Sequence, residues 1–449
     1  AGKSSGYCDG LNRRNFVKLG MAGFGSLSLP TLLQAKEQAA AKRGSKPDTS
    51  VILIWLDGGP SHIDLFDMKP EAPSEYRGIW RPIKTNVSGI EISELMPELS
   101  KVADKYAIIR SMTQTTADHF VGAHRMLTSR HGPTGNGTSP SIGSITARIR
   151  GANKTSMPPY VAVPFASTIG LKPGYLGASY AGKAYDPFDT GGDPNSPNFV
   201  VDNLGLLKGM SVTRMQDRER FRKAIDFTRN QVDQSGVMAS LDRFQSQAYQ
   251  MVSGDAARKA FDIAQESTQM RERYGATTFG QSCLLARRLV EAGSTFVTVG
   301  TEGWDHHYLL QEKLEIAVPQ LDRGVSALLT DLEERGMLEQ TLVVMVGEMG
   351  RTPRMNNGFV EGKQRPPGRD HWGNAMFCFV AGGGTRGGQV IGSTTRLGDA
   401  PLDGPCTVGD LHATIYKVLG IDPNTAIVNH SGRPVPLIDE GIPVAGLFS

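Results

Sequence analysis

Six short apolar runs punctuate this chain, each closed by polar or glycine-rich sequence. "SVILIWLDGG" opens at residue 50 and ends in a tight turn; "YAIIRSMT" spans 106–113 and "YVAVP" spans 160–164. "STFVTVG" (294–300), "TLVVMVGEMG" (341–350) and "MFCFVAGGG" (376–384) complete the set. Their apolar positions are nearly continuous, which is the pattern of strands covered on both faces. Between several of them the spacing turns helical. "SCLLARRLVEAG" (282–293), "LEIAVPQLDRGVSALLTDLEERGM" (314–337) and "GDLHATIYKVLGI" (409–421) predict helices, with Pro319 marking a break or a start. Strands alternating with helices predict an α/β fold around a mostly parallel, doubly wound sheet.

Two stretches break that rhythm. Residues 177–200 are rich in Gly, Asp, Asn and Pro and predict a long ordered loop. From about 205 to 275 the chain is charged, Gln-rich and poor in β-branched residues. This predicts a helical insertion, either a packing layer or a lid. No internal repeat is visible.

The N-terminus reads as an address. "NRRNFVKLGMAGFGSLSLPTLLQA" pairs Arg13 with Arg14, then runs weakly apolar to about Leu33, with small residues at Ala39, Ala40 and Ala41. This resembles a twin-arginine export signal, so residues 1–45 are expected to be signal and linker and residues 46–449 the folded domain. An exported protein in the periplasm or outside the cell is the expectation. No apolar run reaches the ~20 residues of a transmembrane helix.

Charge changes the picture little. The formal net charge is +3, but residues 1–50 alone carry eight basic and three acidic side chains, leaving the body near −2. That balance excludes a generic nucleic-acid surface. Cys8, Cys283, Cys378 and Cys406 are widely spaced and offer neither a C-x-x-C metal site nor a disulfide framework.

The candidate chemistry lies where the strands end. Seven of the nine histidines fall in four segments: His62; His119, His124 and His131; His306 and His307; and His371. Beside them stand Asp57, Ser61, Asp64, Asp118, Arg125, Asp305, Glu348, Arg351 and Asp370. In an open parallel sheet the carboxyl ends of the strands form the site. Imidazole with carboxylate suits Zn, Mn or Fe, whereas carboxylate alone would suit Mg or Ca. One or two divalent ions are expected, Zn first, with Mn or Ca as alternatives. Singly, each motif reads more simply as a turn or a surface pair; their common placement argues for a shared centre.

"GGPSHIDLFDMKP", "GWDHH", "GEMGRTP" and "GRDHWG", in this order, resemble the exported family known as domain of unknown function 1501. That family is placed in the alkaline phosphatase–sulfatase superfamily. The resemblance covers about residues 50–445 and implies a three-layer α/β/α sandwich (alkaline phosphatase-like). It also implies hydrolysis of phosphate or sulfate esters at a metal centre. Matched motif by motif, Asp57, Asp305, His307, Glu348 and His371 would be metal ligands, with His307 favoured over His306. "HRMLTSRHG" resembles a sulfatase turn, and counting back from Thr128 puts the nucleophile slot on His119. Histidine is not that superfamily's nucleophile. It would instead bind metal or move protons, leaving Thr115, Thr116, Ser61 or water to attack. Arg351 or Arg125 would bind the ester anion, and His124 or Asp370 would move protons.

Two classes of function follow. One is an exported metal-dependent hydrolase acting on a small-molecule or glycan ester. The other is a non-catalytic metal-binding scaffold subunit of an exported assembly, with an oligomer or a protein partner.

Overall fold

The computed structural model describes residues 48–131, 139–201, 255–360 and 362–448. The predicted export signal, the greater part of the predicted insertion and residues 132–138 of the "GPTGNGTS" loop therefore lie outside the described residues.

All six predicted strands form. They are β1 (Ser50–Leu56), β2 (Tyr106–Met112), β3 (Tyr160–Val163), β5 (Phe296–Thr301), β6 (Thr341–Val346) and β9 (Met376–Ala381). Two edge strands, β4 (Phe188–Asp189) and β10 (Gln389–Ile391), escaped the sequence reading because they are too short to carry a pattern. A small antiparallel pair, β7 (Gly350–Arg351) and β8 (His371–Trp372), lies outside the main sheet. The main sheet runs in the order β10-β2-β9-β6-β1-β5-β3-β4. Every neighbouring pair is parallel except those made by β9, which opposes both β2 and β6.

Helices cover both faces. Successive β1 side chains alternate between two cores: Ile52, Ile54 and Leu56 enter one, and Val51, Leu53 and Trp55 the other. On the second side lie α2 (His119–Thr128), α3 (Ile142–Arg150) and α8 (Val408–Leu419); the four-residue α1 (His62–Leu65) follows β1. On the first side lie α4 (Asp255–Phe261), α5 (Thr268–Tyr274), α6 (Thr278–Ala292) and α7 (Leu310–Glu334). The architecture is thus an α/β/α sandwich with a mostly parallel sheet. The described end of the predicted insertion is helical, and its Phe261 and Tyr274 are buried in the same core as α6.

Pro319 neither starts nor breaks its helix: α7 begins at Leu310 and runs through it to Glu334. Pro319 itself is exposed, as is Glu315, whose carbonyl it leaves without an N–H partner. The buried residues Leu310, Leu314, Val318, Leu321 and Val325 keep helical spacing across it. Core burial outweighs the loss of one hydrogen bond. Among the described residues no helix is long and apolar enough to cross a membrane.

Candidate metal centre

Register brings the motifs together. Leu56 pairs with Thr301, and Trp55 with Val346, so β1, β5 and β6 end level. Asp57, the "GWDHH" loop and Glu348 therefore leave the sheet side by side. His119 enters from the same edge, as the first residue of the helix after β2, with Asp118 capping that helix by accepting the Val121 N–H at 2.9 Å. His371 arrives by another route. It does not follow a strand of the main sheet; it precedes the reversed strand β9, whose amino end lies at that edge. The β7–β8 ladder pairs His371 with Arg351 and holds "GRDHWG" against "GEMGR".

Glycine permits these approaches. Gly58 has φ +119°, and a Cβ there would lie 2.5 Å from Asp305 N. A Cβ on Gly368 would collide with the His306 carbonyl oxygen.

Three imidazoles converge on Asp305. His119 Nε2 lies 3.4 Å from Asp305 Oδ2, while His307 Nε2 and His371 Nε2 lie 3.1 and 3.3 Å from Oδ1. His307 Nε2 and His371 Nε2 face each other at 2.9 Å. Each ring is anchored through its other nitrogen to an oxygen that can only accept. His119 Nδ1 lies 2.6 Å from Glu348 Oε1, His307 Nδ1 2.8 Å from Asp370 Oδ1, and His371 Nδ1 3.0 Å from the Ala117 carbonyl. All three Nδ1 atoms therefore carry protons, and in the neutral rings the Nε2 lone pairs face the Asp305 carboxylate, those of His307 and His371 also facing each other.

That arrangement suits a divalent cation. Two imidazole lone pairs facing at 2.9 Å repel unless a proton or a cation lies between them. Tetrahedral zinc, with bonds of about 2.0–2.1 Å, would place its ligand atoms roughly 3.3 Å apart. The separations of 2.9, 3.1 and 3.3 Å among His307 Nε2, His371 Nε2 and Asp305 Oδ1 are close to this, while His119 Nε2 lies 3.4 Å from the other oxygen, Oδ2. One ligand atom each from His119, Asp305 and His371 lies within 4.8 Å of the others. Anchoring of the distal ring nitrogen by carboxylate or carbonyl is the usual support of a metal-binding histidine.

The electrostatics point the same way. Burial opposes charge on His119, but its hydrogen bonds to Asp305 and Glu348 outweigh that and raise its pKa to about 9. His307 is also raised, chiefly by its hydrogen bond to Asp305. Burial would raise Asp305; hydrogen bonds from His119, His307 and His371 and the Arg351 charge instead hold it well below the usual carboxylate range. His119 and His307 thus favour a proton where a cation would sit.

The remaining expected residues fall into supporting or distant positions. Glu348 is buried and spends its oxygens on His119 and on the Gly58 N–H, which donates at 2.9 and 3.1 Å. Asp57 is also turned aside: its oxygens accept from Trp55 Nε1 and Ile169 N, each at 2.8 Å. Burial, then the charge of Glu348, pushes Asp57 up to about 6. Arg351 is not placed to bind an ester anion. It is fully buried and donates to the Gly58, Gly59 and Arg369 carbonyls and to Asp305. His124, on the inner face of α2, is buried with its ring 5.5 Å from that of Tyr175. It stands apart from the cluster. Asp370 is half-exposed and accepts from His307 Nδ1. His306 is buried, and burial lowers its pKa to about 4. His62 is buried against the Gly398 carbonyl, and His131 is exposed. Ser61 donates to Asp64, which forms a buried pair with Arg369, and Thr115 accepts from Arg125.

Sequence reasoning missed Asn356 and the Ala117 carbonyl. The first sits in "RMNNG", which resembles any turn, and a backbone carbonyl leaves no mark in sequence.

Compared with known proteins, residues 48–448 match the family model described as "Protein of unknown function (DUF1501)". No curated protein matches the chain. Among solved structures, a sulfatase from Pseudoalteromonas sp. is similar at 12% identity and TM-score 0.37, over 87% of this chain and 71% of that one. A phosphonate monoester hydrolase from Silicibacter pomeroyi gives 11% identity and TM-score 0.38, over 89% and 76%. An alkaline phosphatase from the Antarctic bacterium TAB5 gives 10% identity and TM-score 0.35, over 84% and 99%.

Proposed function

Because the chain belongs to a family of proteins of unknown function, DUF1501, its family supplies no activity, and we propose from the site that it is an exported metal-dependent hydrolase of phosphate or sulfate esters. The observation that carries this reading is the convergence of three Nδ1-anchored imidazoles on one carboxylate. His119, Asp305, His307 and His371 are the residues that would hold a divalent ion, and zinc suits their nitrogen and oxygen donors. Such an ion, when bound, supplies Lewis acidity toward an ester oxygen. Glu348 and Asp370 keep the His119 and His307 rings turned inward. Arg351 fixes Asp305 from beneath. The export signal read in residues 1–45 and the ester chemistry of the superfamily that the motifs resemble support the same reading.

A second reading, a non-catalytic metal-binding scaffold, is favoured by one specific observation. Histidine occupies the nucleophile slot, while Ser61 and Thr115 are engaged with Asp64 and Arg125.

The test is metal analysis of the purified protein, followed by a panel of chromogenic phosphate and sulfate esters. His307→Ala and His371→Ala should lose bound metal and any turnover, whereas His306→Ala should retain the metal. Metal with no turnover on any ester selects the scaffold. A wild-type protein that takes up no zinc or manganese removes both readings.

A further inference from the structure

The three rings of the cluster are anchored unequally. Glu348, which holds His119, is fully buried, and the Ala117 carbonyl, which holds His371, belongs to the backbone. Asp370, which holds His307, is a side chain 51% exposed. A carboxylate in water turns freely and is a poor guide for an imidazole unless something else fixes it.

Asn356 supplies that restraint. Its Nδ2 donates to Asp370 Oδ1 at 3.2 Å and to the His307 carbonyl at 2.8 Å. Its Oδ1 accepts the Gly358 and Gly368 N–H groups at 3.0 and 3.1 Å, and its own N–H donates to the Gly368 carbonyl at 2.9 Å. One amide thus joins the "GWDHH" loop, its own turn and the "GRDHWG" loop. Each polar atom of the side chain meets a partner of the opposite kind, so the amide orientation is determined: an Nδ2/Oδ1 flip would turn donors onto donors and acceptors onto acceptors.

We propose that Asn356 is a positioning residue for His307. By holding Asp370 Oδ1 and the His307 backbone together, it fixes the ring with the proton on Nδ1 and Nε2 turned toward Asp305 and His371. The role in metal binding rests on the reading of the cluster above; the role in ring orientation does not.

The experiment uses the full chain with Asn356→Ala, and Asn356→Asp as a second variant that keeps the size but turns a donor into an acceptor facing Asp370. Two quantities are measured: zinc affinity by chelator competition, and the His307 tautomer in the metal-free protein, at a pH alkaline enough to keep the ring neutral, by nitrogen-15 correlation spectroscopy. Both variants should bind zinc about 10- to 100-fold more weakly, the usual effect of losing support behind a ligand. The His307 signal should move from the Nδ1–H form toward a tautomer mixture, while those of His119 and His371 stay put. Unchanged affinity together with an unchanged His307 tautomer overturns the proposal. A His307 change in a protein whose wild type binds no zinc upholds the positioning role and removes the metal reading instead. If Asn356→Ala fails to fold, Asn356→Asp and Asp370→Asn probe the same link from its two ends.

Discussion

Arg351 places Nη2 2.5 Å from Oδ1 of Asp305, beneath the carboxylate on which the three histidines converge. The guanidinium is fully buried, and its remaining donors serve three backbone carbonyls of the Gly58–Gly59 turn and the Arg369 loop. Its planar fork meets these several acceptors at once, which an ammonium on a flexible stem cannot do.

Arg351→Lys should therefore behave as a severe change. Carbonyls that accept from the fork would lose their donors in a place water does not reach, at a cost on the order of 3 kcal/mol. Equilibrium denaturant unfolding measures this. A variant within 1 kcal/mol of wild type, by the same scale of lost buried hydrogen bonds, would show that the carbonyls find other partners.

The second prediction concerns the turn after β1. Gly58 combines φ +119° with a Cβ position 2.5 Å from Asp305 N. Gly58→Ala should strain the turn by roughly 1–3 kcal/mol and push the "GWDHH" loop outward. Metal affinity should fall along with stability, because Asp305 moves with its own backbone. Calorimetric unfolding with and without zinc tests it: a midpoint equal to wild type in both conditions contradicts the close packing described here.

The third prediction is a pH dependence seated away from the cluster. His412 is buried on α8, with Nε2 2.7 Å from the Met126 carbonyl, and burial lowers its pKa from 6.5 to about 4. The ring is neutral when folded, and the unfolded chain binds a proton that the folded chain refuses between those two values. Its contribution is complete above the unfolded pKa and is lost as pH falls through this window, by about 3 kcal/mol in all. His412→Gln should flatten the acid limb of the stability profile by roughly that amount between pH 7 and pH 4. Parallel profiles for the two proteins would rule the histidine out as the source.

Local pattern made much of this molecule legible. The six apolar runs appear as strands because their side chains had to be covered on both faces, and a continuous Val/Ile/Leu run shows that directly. The predicted helices form for a similar reason, Pro319 being tolerated because it faces water. The two short edge strands were not legible, since two or three residues carry no period.

The candidate site was legible as a set of residue types and only partly as a set of roles. Asp305, His307 and His371 meet, as does His119. Yet Asp57 and Glu348, both carboxylates and equally well placed after their strands, face other donors. His306 and His307 are neighbours in sequence, and one is buried while the other reaches the cluster.

What the sequence determined by itself was the layered α/β architecture, the edge of the sheet where chemistry gathers and the kinds of donor present. Those follow from burial periodicity and side-chain chemistry, which are properties of each residue and its near neighbours. Only the tertiary structure decided which nitrogen faces inward, which arginine is spent on carbonyls and which asparagine holds the loops. Those are matters of direction between groups up to about 300 residues apart, such as Gly58 and Arg351, and a hydrogen bond depends on direction as much as on composition.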